Sequence, residues 1–116
     1  MLRIKSELWV KAYLRRCQAE GASAVVVRRG DQDAGAIYIC INRLDRTLTL
    51  YGPAPVGLDG GETERRWVRC LAAKVVREQE AAAYLMRQIE FDSDIWIVEV
   101  EDKVGRHFLG DTVTEE

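Results

Sequence analysis

The run Ile95-Trp96-Ile97-Val98-Glu99-Val100-Glu101 constrains the fold more than any other part of the chain, because at its start it is apolar at consecutive positions. An extended segment of this kind has no face to turn toward water, so it reads as a strand in the interior of a sheet. Four earlier segments read as its partners. Ala24 to Arg29 is β-branched, Gly30 to Gly35 is its turn, and Ala36 to Asn42 places Ile37, Ile39 and Ile41 on one face and Tyr38 and Cys40 on the other. Asn42 to Arg46 reverses the chain into Thr47 to Tyr51, with Leu48 and Leu50 inward. Both prolines lie in the irregular loop from Gly52-Pro53-Ala54-Pro55 to Gly60-Gly61, and Arg66 to Leu71 resumes as a strand. Short connections of this kind predict an antiparallel meander.

Two helices complete the set. After Ser6, Trp9, Val10, Tyr13, Leu14 and Cys17 form one apolar stripe, with Lys11, Arg15 and Gln18 opposite. Ser6 is the expected N-cap, and Gly21 the expected left-handed terminus. The second helix covers Arg77 to Glu90, with Ala81, Tyr84, Leu85, Gln88 and Ile89 inward, and Asp92-Ser93-Asp94 ends it. The order helix-strand-strand-strand-strand-helix-strand predicts an α+β fold: an antiparallel sheet of about five strands with both helices on one face. The 116 residues, 47% of them hydrophobic, suffice for a single domain over 1–116 with a core that needs neither disulfide nor metal.

Several function classes lack their residues. No apolar stretch reaches membrane-spanning length, and the N-terminus has no secretory h-region, so no membrane association is expected. Walker A, GxSxG, HExxH and helix-opening GxGxxG patterns are absent, and one histidine gives little scope for a hydrolase triad. Cys17, Cys40 and Cys70 are far apart and form no CxxC pair, which disfavours structural zinc and fits a reducing cytoplasm. Gly30-Asp31-Gln32-Asp33-Ala34-Gly35 begins like a calcium loop but places Gly35 at the fifth ligand position, so it reads as a turn. No cofactor is implied.

The charge is unevenly distributed. Residues 1–77 hold fourteen basic and eight acidic side chains, a net of +6, whereas residues 78–116 hold three and eleven, a net of −8. Thirteen of the seventeen basic residues are arginine. Strand pairing interleaves the halves in space unless the fold segregates them, in which case one face attracts an anionic partner.

Three separated segments carry a family resemblance: Leu2-Arg3-Ile4-Lys5-Ser6-Glu7-Leu8-Trp9-Val10, Gly30-Asp31-Gln32-Asp33-Ala34-Gly35-Ala36, and Phe91-Asp92-Ser93-Asp94-Ile95-Trp96-Ile97-Val98-Glu99-Val100-Glu101-Asp102. With Gly105-Arg106-His107-Phe108-Leu109 behind them, the chain from Leu2 to Leu109 resembles a bacterial family catalogued as domain of unknown function 1491. The resemblance implies a small stand-alone cytoplasmic bacterial protein and carries no activity, ligand or catalytic residue.

Arg65-Arg66-Trp67-Val68-Arg69 is the most suggestive local feature. On a strand, Arg65, Trp67 and Arg69 share one side, and with Tyr38, Thr49 and Tyr51 they would make an aromatic and guanidinium face opposite the helices. Such a face suits a homodimer interface, where Tyr, Trp and Arg are enriched. Alternatively it stacks single-stranded nucleic acid, or Trp67 is half-buried at a sheet edge between solvated arginines. Glu99 and Glu101 share a strand face about 7 Å apart, with Lys103 in phase and Asp92 and Asp94 upstream. That outline matches a metal-dependent nuclease only loosely, and a solvated strand end accounts for it as well. His107 is the only imidazole and a general base only if it meets Glu99 or Glu101. The leading expectation is a non-enzymatic interaction module, homodimeric through the aromatic face or through an exposed edge strand. Nucleic-acid binding and a nuclease-like enzyme are the alternatives.

Overall fold

The computed structural model describes residues 4–55 and 64–114; residues 56–61 of the proline-containing loop fall outside this range. In chain order the elements are α1 (Ser6–Ala19), β1 (Ser23–Arg28), β2 (Ile37–Asn42), β3 (Thr47–Pro53), β4 (Trp67–Arg69), β5 (Val76–Arg77), α2 (Glu78–Phe91) and β6 (Trp96–Glu101). A single 3₁₀ turn, Gly110–Thr112, follows. The α+β class expected from the sequence holds.

The sheet has six strands in the order β1-β6-β2-β3-β4, with β5 also paired to β3. As the two-sided apolar pattern requires, β6 is interior. Its insertion separates β1 from β2, so the expected meander is corrected: β6 runs antiparallel to β1 and parallel to β2, making the sheet mixed. The connection from Gly30 to Gly35 is therefore not a hairpin turn but an arch over the start of β6, spanning two strand spacings of about 4.8 Å each. The two glycines make that possible. A Cβ on Gly30 or Gly35 would stand 2.1 or 2.4 Å from the Asp94 carbonyl oxygen. The arch is fixed by Asp31 N–H donating to the Asp94 carbonyl and by the Trp96 indole donating to the Asp31 carbonyl, each at 2.8 Å.

The helices lie on opposite faces, which corrects the expectation that both share one. Helix α1 packs Val10, Tyr13 and Cys17 against Ile37, Ile39, Ile41, Trp96, Val98 and Val100. Helix α2 packs Ala81 and Leu85 against Tyr38, Cys40, Leu48, Leu50 and Ile97. β2 and the first half of β6 are buried on both sides, and a helix on each face keeps water from them. The β2–β3 register decides the rest. Ile39 lies opposite Tyr51 and Cys40 opposite Leu50, so Tyr51 joins the isoleucine face and the two leucines join Tyr38. A one-residue difference from the expected register exchanged every side chain of β3 between faces.

Local chemistry accounts for the helix ends. Gly21 adopts φ 85°, with Gly21 N–H donating to Gln18 O and Ala22 N–H to Cys17 O, the paired bonds of a Schellman terminus. Ser6 is not the N-cap. The arch carbonyls of Asp33 and Gln32 accept from the Ser6 and Glu7 amides, and the buried Ser6 hydroxyl donates instead to the Gly35 carbonyl at 2.6 Å. The N-terminus of α1 is thus tied to the arch that spans β6. Beyond β6, buried Asp102 accepts from the backbone and the guanidinium of Arg106, and the chain then crosses the α1 face. There Tyr13 donates to the His107 carbonyl.

Candidate interaction surfaces

The aromatic face expected opposite the helices does not form. Tyr38 lies under α2, whereas Tyr51 and Trp67 lie on the α1 side with Arg69 in register opposite Tyr51. Trp67 is 2% exposed, its ring 4.9 Å from that of Trp9, which itself stacks on Tyr13. Arg65 does not project from a free face either. Its guanidinium donates to the Ile4 carbonyl at 2.8 Å and to Ser6 Oγ at 3.2 Å, clasping the start of α1. What the structure does bring together is Arg65, Trp67, Trp9 and Arg16 around a cavity of about 390 Å³, whose rim runs to Ile4 and Glu64 at the ends of the described segments.

The acidic candidates are dispersed. Asp92 ends α2 and accepts from the Asp94 amide at 2.9 Å. Asp94 and Glu99 sit toward opposite ends of β6, about 16 Å apart at a rise of ~3.3 Å per residue. Among the described residues no group of three or more acidic, histidine or cysteine side chains is placed to hold a metal ion. Lys103 is exposed in the turn after β6. His107 is on the α1 face, with its ring 5.4 Å from that of Tyr51 and its Nδ1 accepting from the Leu109 amide at 2.9 Å. Glu99 and Glu101 alternate onto the α2 face, so the sheet stands between them and the imidazole. The three cysteines are free thiols. Burial pushes Cys40 up to about 12 and Cys70 up to about 11, leaving little thiolate near neutral pH.

Among the described residues two further surfaces stand open, and only one is hinted at in the sequence. The first is β1, whose outer edge no described strand pairs. At the opposite edge, β4 is partly covered by the chain's end: Trp67 bridges to Val113, and Thr114 N–H donates to the Trp67 carbonyl at 2.7 Å. Along β1 the register to β6 shifts between Val26 and Arg28, a β-bulge that places Val27 and Arg28 on one side. Arg28 then donates to the Ser93 carbonyl, and Arg29, on the other face, stacks over Trp96 and pairs with Glu7. The arginine bias near the strands is thus largely spent inside the chain.

The second surface is a trough on the α2 face, about 330 Å³, between α2 and β1. Its floor is Cys40, Leu48 and Ile97, its helix wall Ala82 and Leu85, and its far rim Val27. Val25 and Val27 are 53% and 58% exposed beside it. Glu99 stands within it on an interior strand, between Val25 and Cys40 of its neighbours, with one oxygen accepting from Asn42 Nδ2 at 3.3 Å. Sequence periodicity identified Glu99 but not the uncovered strip around it, because helix placement on the sheet is not a local property.

Among the described residues no helix is long and apolar enough to cross a membrane. No curated protein matches the chain. A crystal structure of a DUF1491 family protein from Caulobacter crescentus CB15 is 36% identical with TM-score 0.80, covering 99% of this chain and 100% of that one. An NMR structure of a DUF1491 family protein from the same organism is 37% identical, with the same TM-score and coverage. The solution structure of protein Atu0922 from A. tumefaciens is 39% identical with TM-score 0.82, covering 99% of this chain and 98% of that one. The family model described as protein of unknown function (DUF1491) matches residues 4–110, and the resemblance read from the sequence holds: the chain belongs to the DUF1491 family.

Proposed function

We propose that the protein is an interaction module of the bacterial cytoplasm that works by self-association, two copies pairing through the edge of β1. The observation that carries this reading is the outer edge of a six-residue strand that no described strand pairs and that bears two exposed valines. Unpaired strand edges are templates for another strand, and soluble proteins usually blunt them with lysine, proline, a bulge or a covering element. Ser23-Ala24-Val25-Val26-Val27-Arg28 has neither lysine nor proline, and its bulge leaves Ser23 to Val26 as the regular part. A two-fold axis perpendicular to the sheet keeps the α2 faces of both copies on one side. Antiparallel partners across it then share a face, so the axis passes through a single residue. Centred on Val25, it sets the exposed Val25 side chains of the two copies side by side. Three free thiols suit a reducing compartment.

Sedimentation equilibrium from micromolar to millimolar protein tests the reading. The expected species has twice the 13.2 kDa mass of the chain. Val25→Lys puts a charge on the edge without touching the core, and it is expected to weaken association at least about tenfold with little change in stability. A strict monomer at millimolar concentration, or a dimer indifferent to Val25→Lys, refutes edge pairing.

A further inference from the structure

We infer that the trough beside α2 is the seat of a basic amphipathic helix from a partner protein. The inference extends the interaction-module reading to a partner other than a second copy, on a surface distinct from the β1 backbone edge.

The α1 face is covered by α1 and by the chain that follows β6, whereas α2 sits to one side of its own face, over β3 and β5. That leaves β1 and the Glu99 end of β6 open beside it: Val25 and Val27 are 53% and 58% exposed, whereas Ile97 is buried. The trough follows Glu78, Ala81, Ala82 and Leu85 of α2, an i, i+3, i+4, i+7 row about two turns long against which a second helix can lie. On the wall it presents, α2 carries exposed Ala82, which allows a neighbouring helix close approach, with exposed Met86 one turn beyond. An extended peptide would instead add to the β1 edge and leave this strip open.

Charge decides the sign of the partner. Glu78 on the helix wall and Glu99 on the floor put carboxylates on both sides of an otherwise apolar trough, and no basic side chain lines it among the described residues. Glu99 is half-buried on its strand between Val25 and Cys40 and accepts from Asn42 at 3.3 Å, which leaves acceptor capacity for a partner's cation. A lysine or arginine at the edge of an apolar helix face meets Glu99 while its neighbours at i+3 and i+4 cover Val27 and Leu85.

The test uses two fluorescent 15-residue amphipathic peptides, alike in their leucine face and differing in lysine or glutamate on the polar face. Fluorescence anisotropy reads affinity, and amide shifts of the isotope-labelled full chain read location. The basic peptide is expected to bind at least about tenfold more tightly than the acidic one, shifting Val27, Ala82, Ile97 and Glu99. Ala82→Trp, which fills the trough, is expected to abolish binding without altering the sedimentation mass. Glu99→Lys is expected to reverse the preference. Equal binding of both peptides, shifts confined to the α1 face, or indifference to Ala82→Trp refutes the inference. So does loss of self-association in Ala82→Trp, which would make a second copy the occupant. A monomeric protein that still binds the basic peptide refutes edge pairing alone.

Discussion

Replacing Trp67 by alanine separates the tertiary reading of this residue from the one its sequence neighbourhood suggests. On an open aromatic face, Trp67→Ala would remove a contact with a partner and cost the folded chain less than ~1 kcal/mol, as surface substitutions do. Trp67 is instead 2% exposed, packed under Trp9 and in one cluster with Tyr13, Tyr51 and Leu109. A buried tryptophan removes about 150–250 Å² from water, worth about 4–6 kcal/mol at ~25 cal/mol/Å². Alanine retains a little of that area, so the expected loss is about 4 kcal/mol, within the ~3–5 kcal/mol of comparable truncations. For a chain of this length that lowers Tm by roughly 15 °C. Urea unfolding followed by tryptophan fluorescence and by far-ultraviolet circular dichroism measures it, and coincident transitions license the two-state value. The Trp9→Ala and Trp67→Ala pair adds a coupling of about 0.5–1.5 kcal/mol from the ring contact. A cost under ~1 kcal/mol for Trp67→Ala would refute the burial assigned to it.

Gly35→Ala is expected to cost about 3 kcal/mol, the upper end of overpacking penalties, because its Cβ would meet the Asp94 carbonyl oxygen at 2.4 Å and the Asp31 nitrogen at 2.8 Å. Gly21→Ala, with open space around it and φ 85°, is expected to cost only the left-handed backbone penalty of about 1 kcal/mol, so denaturant midpoints should rank the two clearly. Asp102 is held below the usual carboxylate range by the guanidinium hydrogen bonds of Arg106, opposed by desolvation. A depressed folded pKa stabilises above the unfolded value near 4 and is lost as pH falls through the folded one. Asp102→Asn should therefore cost about 1–3 kcal/mol at pH 7. That difference should begin to shrink below about pH 4 and keep shrinking as pH falls through the lowered folded value, as read from guanidinium midpoints along an acid series.

How much was legible follows from the range of each signal. The two helices were read from apolar periodicity within one or two residues of their observed ends, and Gly21 was read correctly because a left-handed terminus is a property of a few neighbouring residues. β6 was placed inside the sheet because apolar residues on both sides of one strand leave no alternative. β5 was missed, since two residues, Val76 and Arg77, carry no periodicity and are strand only through their pairing with β3. Ser6 looked like a cap until the arch supplied carbonyls to the helix amides, a contact from residues 32 and 33.

Local side-chain patterns suffice for both helices, the strands other than β5, the α+β class and the family. The faces follow from long-range pairing, which no local pattern encodes. β6 slips between β1 and β2, and the β2–β3 register sets Tyr51 opposite Ile39. Strand side chains alternate with a period of two, so one residue of register moves a whole row across the sheet. That shift takes Trp67 and Tyr51 out of an imagined docking surface and into the core. It leaves the edge of β1 and the strip around Glu99 open, where no local pattern marks them.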